Sequence, residues 1–207
     1  MKDYPSIPLS KGQKFQEIKN AHIFDKLDGS SMRSEWTKKR GWYKHGRRHG
    51  LLDDSNPALT VVPELFERSF AEPLARIAVK NKWQHLIVFY EFWGDQSIAG
   101  YHFQDDEKHL TLFDAAADKK GIIGPKDFRK IFECDVETAR FLGIHNFTRG
   151  FTDRVRRGEF EGITFEGVVA KAGSGHTLVR AKAKTQAWID RVLAIHGKEK
   201  GQRLVDS

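Results

Sequence analysis

Residues 85–94, His-Leu-Ile-Val-Phe-Tyr-Glu-Phe-Trp-Gly, form an unbroken β-branched and aromatic run. The run has the length of a strand rather than a helix, and its lack of alternation predicts a central strand buried on both faces. A chain built around such a strand must supply a covering layer on each side of a sheet. Glu91 interrupts the pattern, because a carboxylate is almost never buried unless paired. Either it meets an arginine or lysine, or it lines a ligand pocket.

At 207 residues the chain can bury one substantial core or two small ones. A hydrophobic content of 39% with 12% aromatic residues excludes a disordered chain. The single cysteine, Cys134, excludes a disulfide framework and a cysteine-built zinc site. There is no apolar run of membrane-spanning length, and the start of the chain, with Lys2, Asp3 and Pro5, lacks a signal peptide's apolar stretch. The expectation is a soluble, cytoplasmic protein with no membrane partner. Net charge is +7, and part of the excess is gathered at Lys38, Lys39, Arg40, Lys44, Arg47 and Arg48, interleaved with Trp36, Trp42 and Tyr43. That pattern suits a phosphate-binding surface with stacking platforms; a merely solvated basic face is the alternative.

Taken in order, residues 1–20 read as an extended lead-in with Tyr4, Pro5 and Ile7 as anchors. Residues 23–26 and 30–36 read as two strands about the Asp28-Gly29 turn, a strong hairpin signal. Residues 42–52 form a basic strand or loop. Pro63 opens a helix burying Leu65, Phe66 and Phe70, with a kink or second start at Pro73. Residues 109–115 make another strand. Pro125 opens a helix with Phe128, Ile131 and Phe132 inward, residues 136–142 suggest a further helix, and 152–158 a short basic helix or turn. Residues 163–171 and 177–184 are strands about the turn Gly173-Ser174-Gly175. Trp188, Ile189, Val192 and Leu193 mark a closing helix, and from Lys198 a charged, frayed tail is expected.

At the centre of the first pair of strands sits Lys26-Leu27-Asp28-Gly29. A lysine is a covalent nucleophile when its amine is kept neutral by desolvation or nearby positive charge. Downstream come Arg48, the strand-borne Glu91 and Glu166, and Lys182 and Lys184, whose spacing of two puts both ammonium groups on one face of a strand. Such a set suits attack on a nucleotide's α-phosphate, where positioning and charge stabilisation do most of the work. The same cations are expected to lower the pKa of Lys26.

The ordered series Lys26-Leu27-Asp28-Gly29, Arg48-His49-Gly50, Glu91-Phe92-Trp93-Gly94, Leu112-Phe113-Asp114, Glu166-Gly167-Val168-Val169-Ala170-Lys171 and Lys182-Ala183-Lys184 resembles the covalent nucleotidyltransferases, that is, the ATP-dependent polynucleotide ligases and mRNA capping guanylyltransferases. Within them it looks most like the RNA ligases, particularly those that seal nicks in duplex RNA. The resemblance implies an α+β fold: two twisted antiparallel sheets flanking a nucleotide groove, with helices outside. It implies that Lys26 attacks the α-phosphate of ATP, expels pyrophosphate and carries AMP, which then passes to a 5′-phosphate end that a 3′-hydroxyl joins. Asp28 and Gly29 complete the nucleophile's motif. Arg48 and Glu91 contact the ribose and phosphate side, Phe113 stacks on adenine, Glu166 binds Mg²⁺ or Mn²⁺, Lys182 and Lys184 hold the α-phosphate, and Lys171 supports the same cluster. For Arg48 the basic run leaves Arg47 and Arg40 open as alternatives.

The resemblance has departures. The 23 residues after Lys184 (207 − 184) leave no room for the OB-fold domain that DNA ligases and capping enzymes carry, so residues 1–207 are expected to be a single adenylylation domain. Position 24, where many DNA ligases place a glutamate that reads adenine, is Phe24. The expected partner is nucleic acid, RNA before DNA, handled by a monomer with room for a separate end-healing partner. A minimal DNA ligase, a guanylyltransferase and a non-catalytic strand-end-binding module remain as alternatives.

Overall fold

A computed structural model describes residues 4–9, 15–52, 57–94, 98–101, 105–118 and 120–206. Parts of the predicted 1–20 lead-in, at 1–3 and 10–14, lie outside them. Eight strands form two antiparallel sheets. The first sheet takes β1 (Ile18–Lys26), β6 (Phe141–Phe147), β7 (Gly167–Ala172) and β8 (Val179–Lys184) in the order β6-β1-β7-β8. The second takes β2 (Ser30–Thr37), β3 (Gly41–Arg47), β4 (His85–Trp93) and β5 (His109–Ala117) in the order β3-β2-β4-β5.

The 85–94 run is an inner strand, as its composition requires. Leu86, Val88, Tyr90 and Phe92 face the main core with Met32 and Trp36. That core is covered by α1 (Val62–Phe66), a π-helical turn (Glu67–Ala71), α2 (Glu72–Lys80) and α3 (Pro125–Phe132). Pro73 falls in the first turn of α2, where its missing N–H costs nothing, so the irregular turn before it is the predicted kink. Ile87 and Phe89 face the other way, onto Tyr4 and Phe113. Behind the first sheet, Ile23, Val168, Ala170, Ala181 and Ala183 pack with Phe151 and Val155 of α4 (Arg149–Arg156).

Several expectations give way. Asp28-Gly29 does not make a hairpin: β1 pairs with β6 and β7, β2 with β3 and β4, so residues 27–29 carry the chain from one sheet to the other. Only glycine fits at 29, since a Cβ there would lie 2.3 Å from the Phe92 carbonyl oxygen. β1 begins at Ile18, and residues 4–9 are more than a lead-in: Lys182 N–H donates to the Pro8 carbonyl at 3.2 Å, and Tyr4 is buried. The helix expected at 136–142 is absent. Leu112 N–H donates to Glu137 O and Ala139 N–H to Leu112 O, and β6 follows on the edge of the first sheet; pairing overrides local preference. The strand expected from 163 starts at Gly167. The tail is helical: after α5 (Gln186–His196), Gly197 at φ +74° turns the chain back into α6 (Lys198–Asp206), burying Val205. Trp36 and Trp42 are core residues rather than exposed platforms. Trp36 is buried, and Trp42 stands edge-on to Phe66 and donates its indole N–H to Ala71 O.

Candidate active site

Between the sheets lies a cavity of about 210 Å³ lined by Lys26, Gly29, Arg48, Glu91, Phe113, Glu166, Lys171, Lys182 and Lys184, together with Tyr4, Ile7 and Phe24. The two sheets bring charge from one side and a mixed wall from the other. β1 ends at Lys26 opposite Gly167 of β7, which sets the lysine beside Glu166. β8 then places Lys182 and Lys184 along the same wall. From the second sheet come Glu91 on β4 and Phe113 on β5.

The Lys26 ammonium donates to Glu166 Oε2 at 2.7 Å, while Lys184 reaches Glu166 Oε1 at 3.0 Å. Glu166 and Lys184 are sealed, but the Lys26 side chain keeps 23% of its surface open. Burial pulls the Lys26 pKa down, yet Glu166, Glu91 and Asp28 outweigh it and hold the ammonium above its ordinary value. The expectation that surrounding cations make Lys26 a free amine is therefore corrected: in this state the lysine is charged and locked to a carboxylate. The lowered lysines are its neighbours. Burial first, then repulsion from Lys26 and Lys184, brings Lys182 to about 7, and burial likewise lowers Lys184. Burial pushes Glu91 up to about 8. Against burial, Lys26 and Lys184 hold Glu166 below its ordinary value.

Other residues stand around this centre. Lys171 Nζ donates to Asp114 Oδ1 at 2.8 Å and to the Phe113 carbonyl at 2.7 Å, and Tyr4 donates its hydroxyl to Asp114 Oδ2. Lys171 thus fixes the strand that carries Phe113, and its ammonium lies 5.0 Å from the centre of the Phe24 ring. Phe113 is half-buried, edge-on to Tyr4, with part of its ring surface on the cavity. Arg48 lines the cavity and donates to Ser6 Oγ, whereas Arg47 is exposed and Arg40 lies on the 38–40 turn; of the three, Arg48 is the one among the cavity's lining residues. Asp28 does not line the cavity. It turns away and accepts from the backbone N–H groups of Ile98 and Ala99. Asp25, next to Lys26, is fixed by Arg140 and Thr164. Tyr4, Asp25 and Asp114 were not foreseen as site residues, although Asp114 closes the Leu112-Phe113-Asp114 motif and was legible there.

Lys38, Lys39 and Arg40 are exposed on the turn between β2 and β3. Arg40 and Lys44 lie over the Tyr43 ring at 4.1 and 5.2 Å, and the Tyr43 hydroxyl donates to Glu35. Among the described residues no cluster of three or more histidine, cysteine, aspartate or glutamate side chains could hold a metal by itself. Glu166 and Glu91 are carboxylates on the cavity wall, of the kind a hard divalent cation takes one or two of alongside phosphates and water, and in this structure both Glu166 oxygens are held by Lys26 and Lys184. No described helix is long and apolar enough to cross a membrane.

No protein-family model matches this sequence, and no curated protein matches it either. Solved structures do match. The chain superposes on a Naegleria gruberi RNA ligase variant with AMP and Mn at a TM-score of 0.62, with 16% identity, over 88% of this chain and 53% of that one. Another variant with ATP and Mn gives 0.61, 16%, 85% and 52%, and the same ligase with pyrophosphate gives 0.61, 16%, 84% and 52%. The chain spans about half the length of these ligase chains. At this identity the likeness concerns architecture: the protein has the nucleotidyltransferase-type fold of RNA ligases.

Proposed function

We propose that the protein is an ATP-dependent RNA ligase that works through a lysyl-AMP intermediate. One observation carries the reading: the Lys26 amine opens into a cavity between two sheets, with Glu166, Lys182 and Lys184 converging on it. The likeness to a ligase solved with ATP, AMP and pyrophosphate supports it, since these are the substrate, retained group and product of such a step.

In the first step Lys26 Nζ forms a bond to the α-phosphorus as the bond to pyrophosphate breaks. The attack needs the neutral amine, and Glu166 at 2.7 Å is the acceptor within reach of its proton. On this reading Lys182 and Lys184 neutralise charge on the α-phosphate, and Phe113, whose carbonyl Lys171 holds, stacks on the base; all four line the cavity. Glu91 and Glu166 are the carboxylates that would hold Mg²⁺ or Mn²⁺, which would supply further positive charge for the transfer. Arg48 and Gly29 shape the wall around the nucleotide, and Asp28 anchors the segment behind it. AMP then moves to a 5′-phosphate end, which a 3′-hydroxyl attacks.

Incubation with Mn²⁺ and labelled ATP, and separately GTP, tests this. One acid-labile AMP per chain is expected from ATP, and Lys26→Ala should lower labelling by at least about 10³-fold while leaving thermal unfolding intact. Label surviving in that variant would remove the reading. The basic turn at Lys38, Lys39 and Arg40, with Lys44 and Arg47, is the proposed path of the nucleic-acid backbone. Removing a cation that neutralises one phosphate should reduce the slope of log affinity against log salt by roughly 0.7 to 0.9. An unchanged slope in Arg40→Ala/Lys44→Ala would place the strand elsewhere.

A further inference from the structure

A third, small core lies behind the nucleophile. Trp188, Ile189 and Val192 of α5 and Val205 of α6 enclose Ala99, with Ile98, Tyr101, Phe165, Leu193 and Leu204 at its border. This core is joined to the Lys26 site at three separate points. Ile98 and Ala99 donate both N–H groups to the Asp28 carboxylate, at 3.2 and 2.9 Å, two residues beyond the nucleophile. Their own carbonyls are held by α5: Arg191 donates Nε to Ala99 O at 2.6 Å and Nη2 to Gly100 O at 3.0 Å, and the His196 ring meets Ile98 O at 2.7 Å. Glu166 is fixed through its backbone, because Thr185, the N-cap of α5, donates N–H to Glu166 O and its hydroxyl to Phe165 O, both at 2.9 Å. Lys184 runs over the Trp188 ring at 4.3 Å and donates to Leu204 O of α6 at 3.4 Å.

We propose that the α5–α6 hairpin is a brace that positions Lys26, Glu166 and Lys184 for nucleotidyl transfer, with Arg191, Trp188 and His196 as positioning residues that act through Asp28 and Lys184. The physical case is that these interactions are specific in direction. Arg191 grips two successive carbonyls with a fork that no other side chain reproduces, which orients the 98–101 backbone so that its N–H groups point at Asp28. Trp188 is fully buried, and its indole N–H lies toward the Asp28 carboxylate without a formed hydrogen bond among the described residues. Packing alone would not require any of these polar interactions. A displacement of about 1 Å in a reacting group costs up to roughly 10²-fold in rate, so releasing Asp28 should be felt at Lys26 Nζ.

The inference rests on the lysyl-AMP reading, and the test separates the two. Single-turnover labelling by ATP is measured across ATP concentration in the wild type, Arg191→Ala, Arg191→Lys, Trp188→Phe and Arg203→Ala, with thermal unfolding of each. Arg203 pairs with Glu199 of its own helix and serves as the control. Expected are a roughly ten-fold fall in the saturating rate for Arg191→Ala, a smaller fall for Trp188→Phe, partial recovery in Arg191→Lys, and a half-saturating ATP concentration within about two-fold of wild type. Hydrogen exchange should quicken at Ile98 and Ala99 in Arg191→Ala while α5 stays protected. Saturating rates within two-fold of wild type in both Arg191→Ala and Trp188→Phe would overturn the brace. So would a loss of equal size in Arg203→Ala. If Arg191→Ala does not fold, Trp188→Phe, which keeps the ring packing, decides. A wild type that takes no label from either nucleotide removes the underlying reading, and the brace with it.

Discussion

Two buried lysine–carboxylate pairs border the same cavity, and they are built alike but situated differently. Lys171 and Asp114 meet at 2.8 Å with both side chains nearly sealed, at 3% and 2% exposure. Lys26 and Glu166 meet at 2.7 Å, but the lysine keeps 23% of its surface open to the cavity. The sealed pair spans the two sheets, from β7 to β5, and is tied further by the Phe113 carbonyl and the Tyr4 hydroxyl. The open pair joins the end of β1 to the residue that precedes β7 in the same sheet, and its carboxylate is shared with Lys184. Bond length therefore says nothing about role. The pair with every partner supplied by the protein is a fastener, whereas the pair with one face left to solvent is where a ligand can enter.

The largest effect should come from breaking the fastener. Asp114→Ala leaves a buried lysine without its carboxylate and should destabilise the fold by about 3–5 kcal/mol in a denaturant titration. Asp114→Leu/Lys171→Met should recover most of that loss; a single-variant cost under about 1 kcal/mol would erase the contrast between the pairs. Next comes Glu166→Gln, which keeps shape but not charge. Labelling should fall by about 100-fold, since both lysines lose their anion and a hard cation loses its carboxylate. Full activity in that variant would make the open pair structural too. The third effect is on pH dependence. The Lys182 pKa is depressed from 10.5 to about 7, so between those values the unfolded chain binds more protons than the folded one. Stability from this group is present above pH 10.5 and lost as pH falls through 7. Lys182→Met should thus flatten the rise in urea midpoint between pH 7 and 9.5, and an unchanged profile would show that Lys182 titrates normally.

Much of this could be read from residue order, but the two pairs were not equally readable. Lys26, Glu166, Lys182 and Lys184 stand out in the sequence through motif spacing, and the structure gathers them on one cavity. Lys171 is expected in the same polar cluster and Asp114 stands in the Leu112-Phe113-Asp114 motif, but their pairing and the Tyr4 hydrogen bond leave no local signature, since these partners lie 57 and 110 residues apart. The 85–94 strand was legible for the opposite reason: burial on both faces forces composition directly. Residues 136–142 misled because their helical appearance was outweighed by hydrogen bonds to β5 and β1. The tail misled because nothing in Lys-Glu-Lys-Gly-Gln-Arg signals that Gly197 will fold it back over Trp188. The Asp28-Gly29 step was mistaken for a hairpin since turn chemistry encodes a change of direction and not which sheet receives the next strand.

That crossover has a kinetic meaning. The sheet carrying Glu91 and Phe113 is assembled from residues 30–117, a nearly continuous stretch whose pairings are comparatively local. The sheet carrying Lys26 takes one strand from before that stretch and three from after it, and the ion pair it aligns closes a loop of 140 residues. Loop-closure entropy makes such pairings slow to form. As the chain leaves the ribosome, β1 must wait with both edges unpaired while its future neighbours are still being made. Lys26 is synthesised before every strand that pairs with β1, so in refolding it should reach its final place only after the aromatic core of the other sheet has formed.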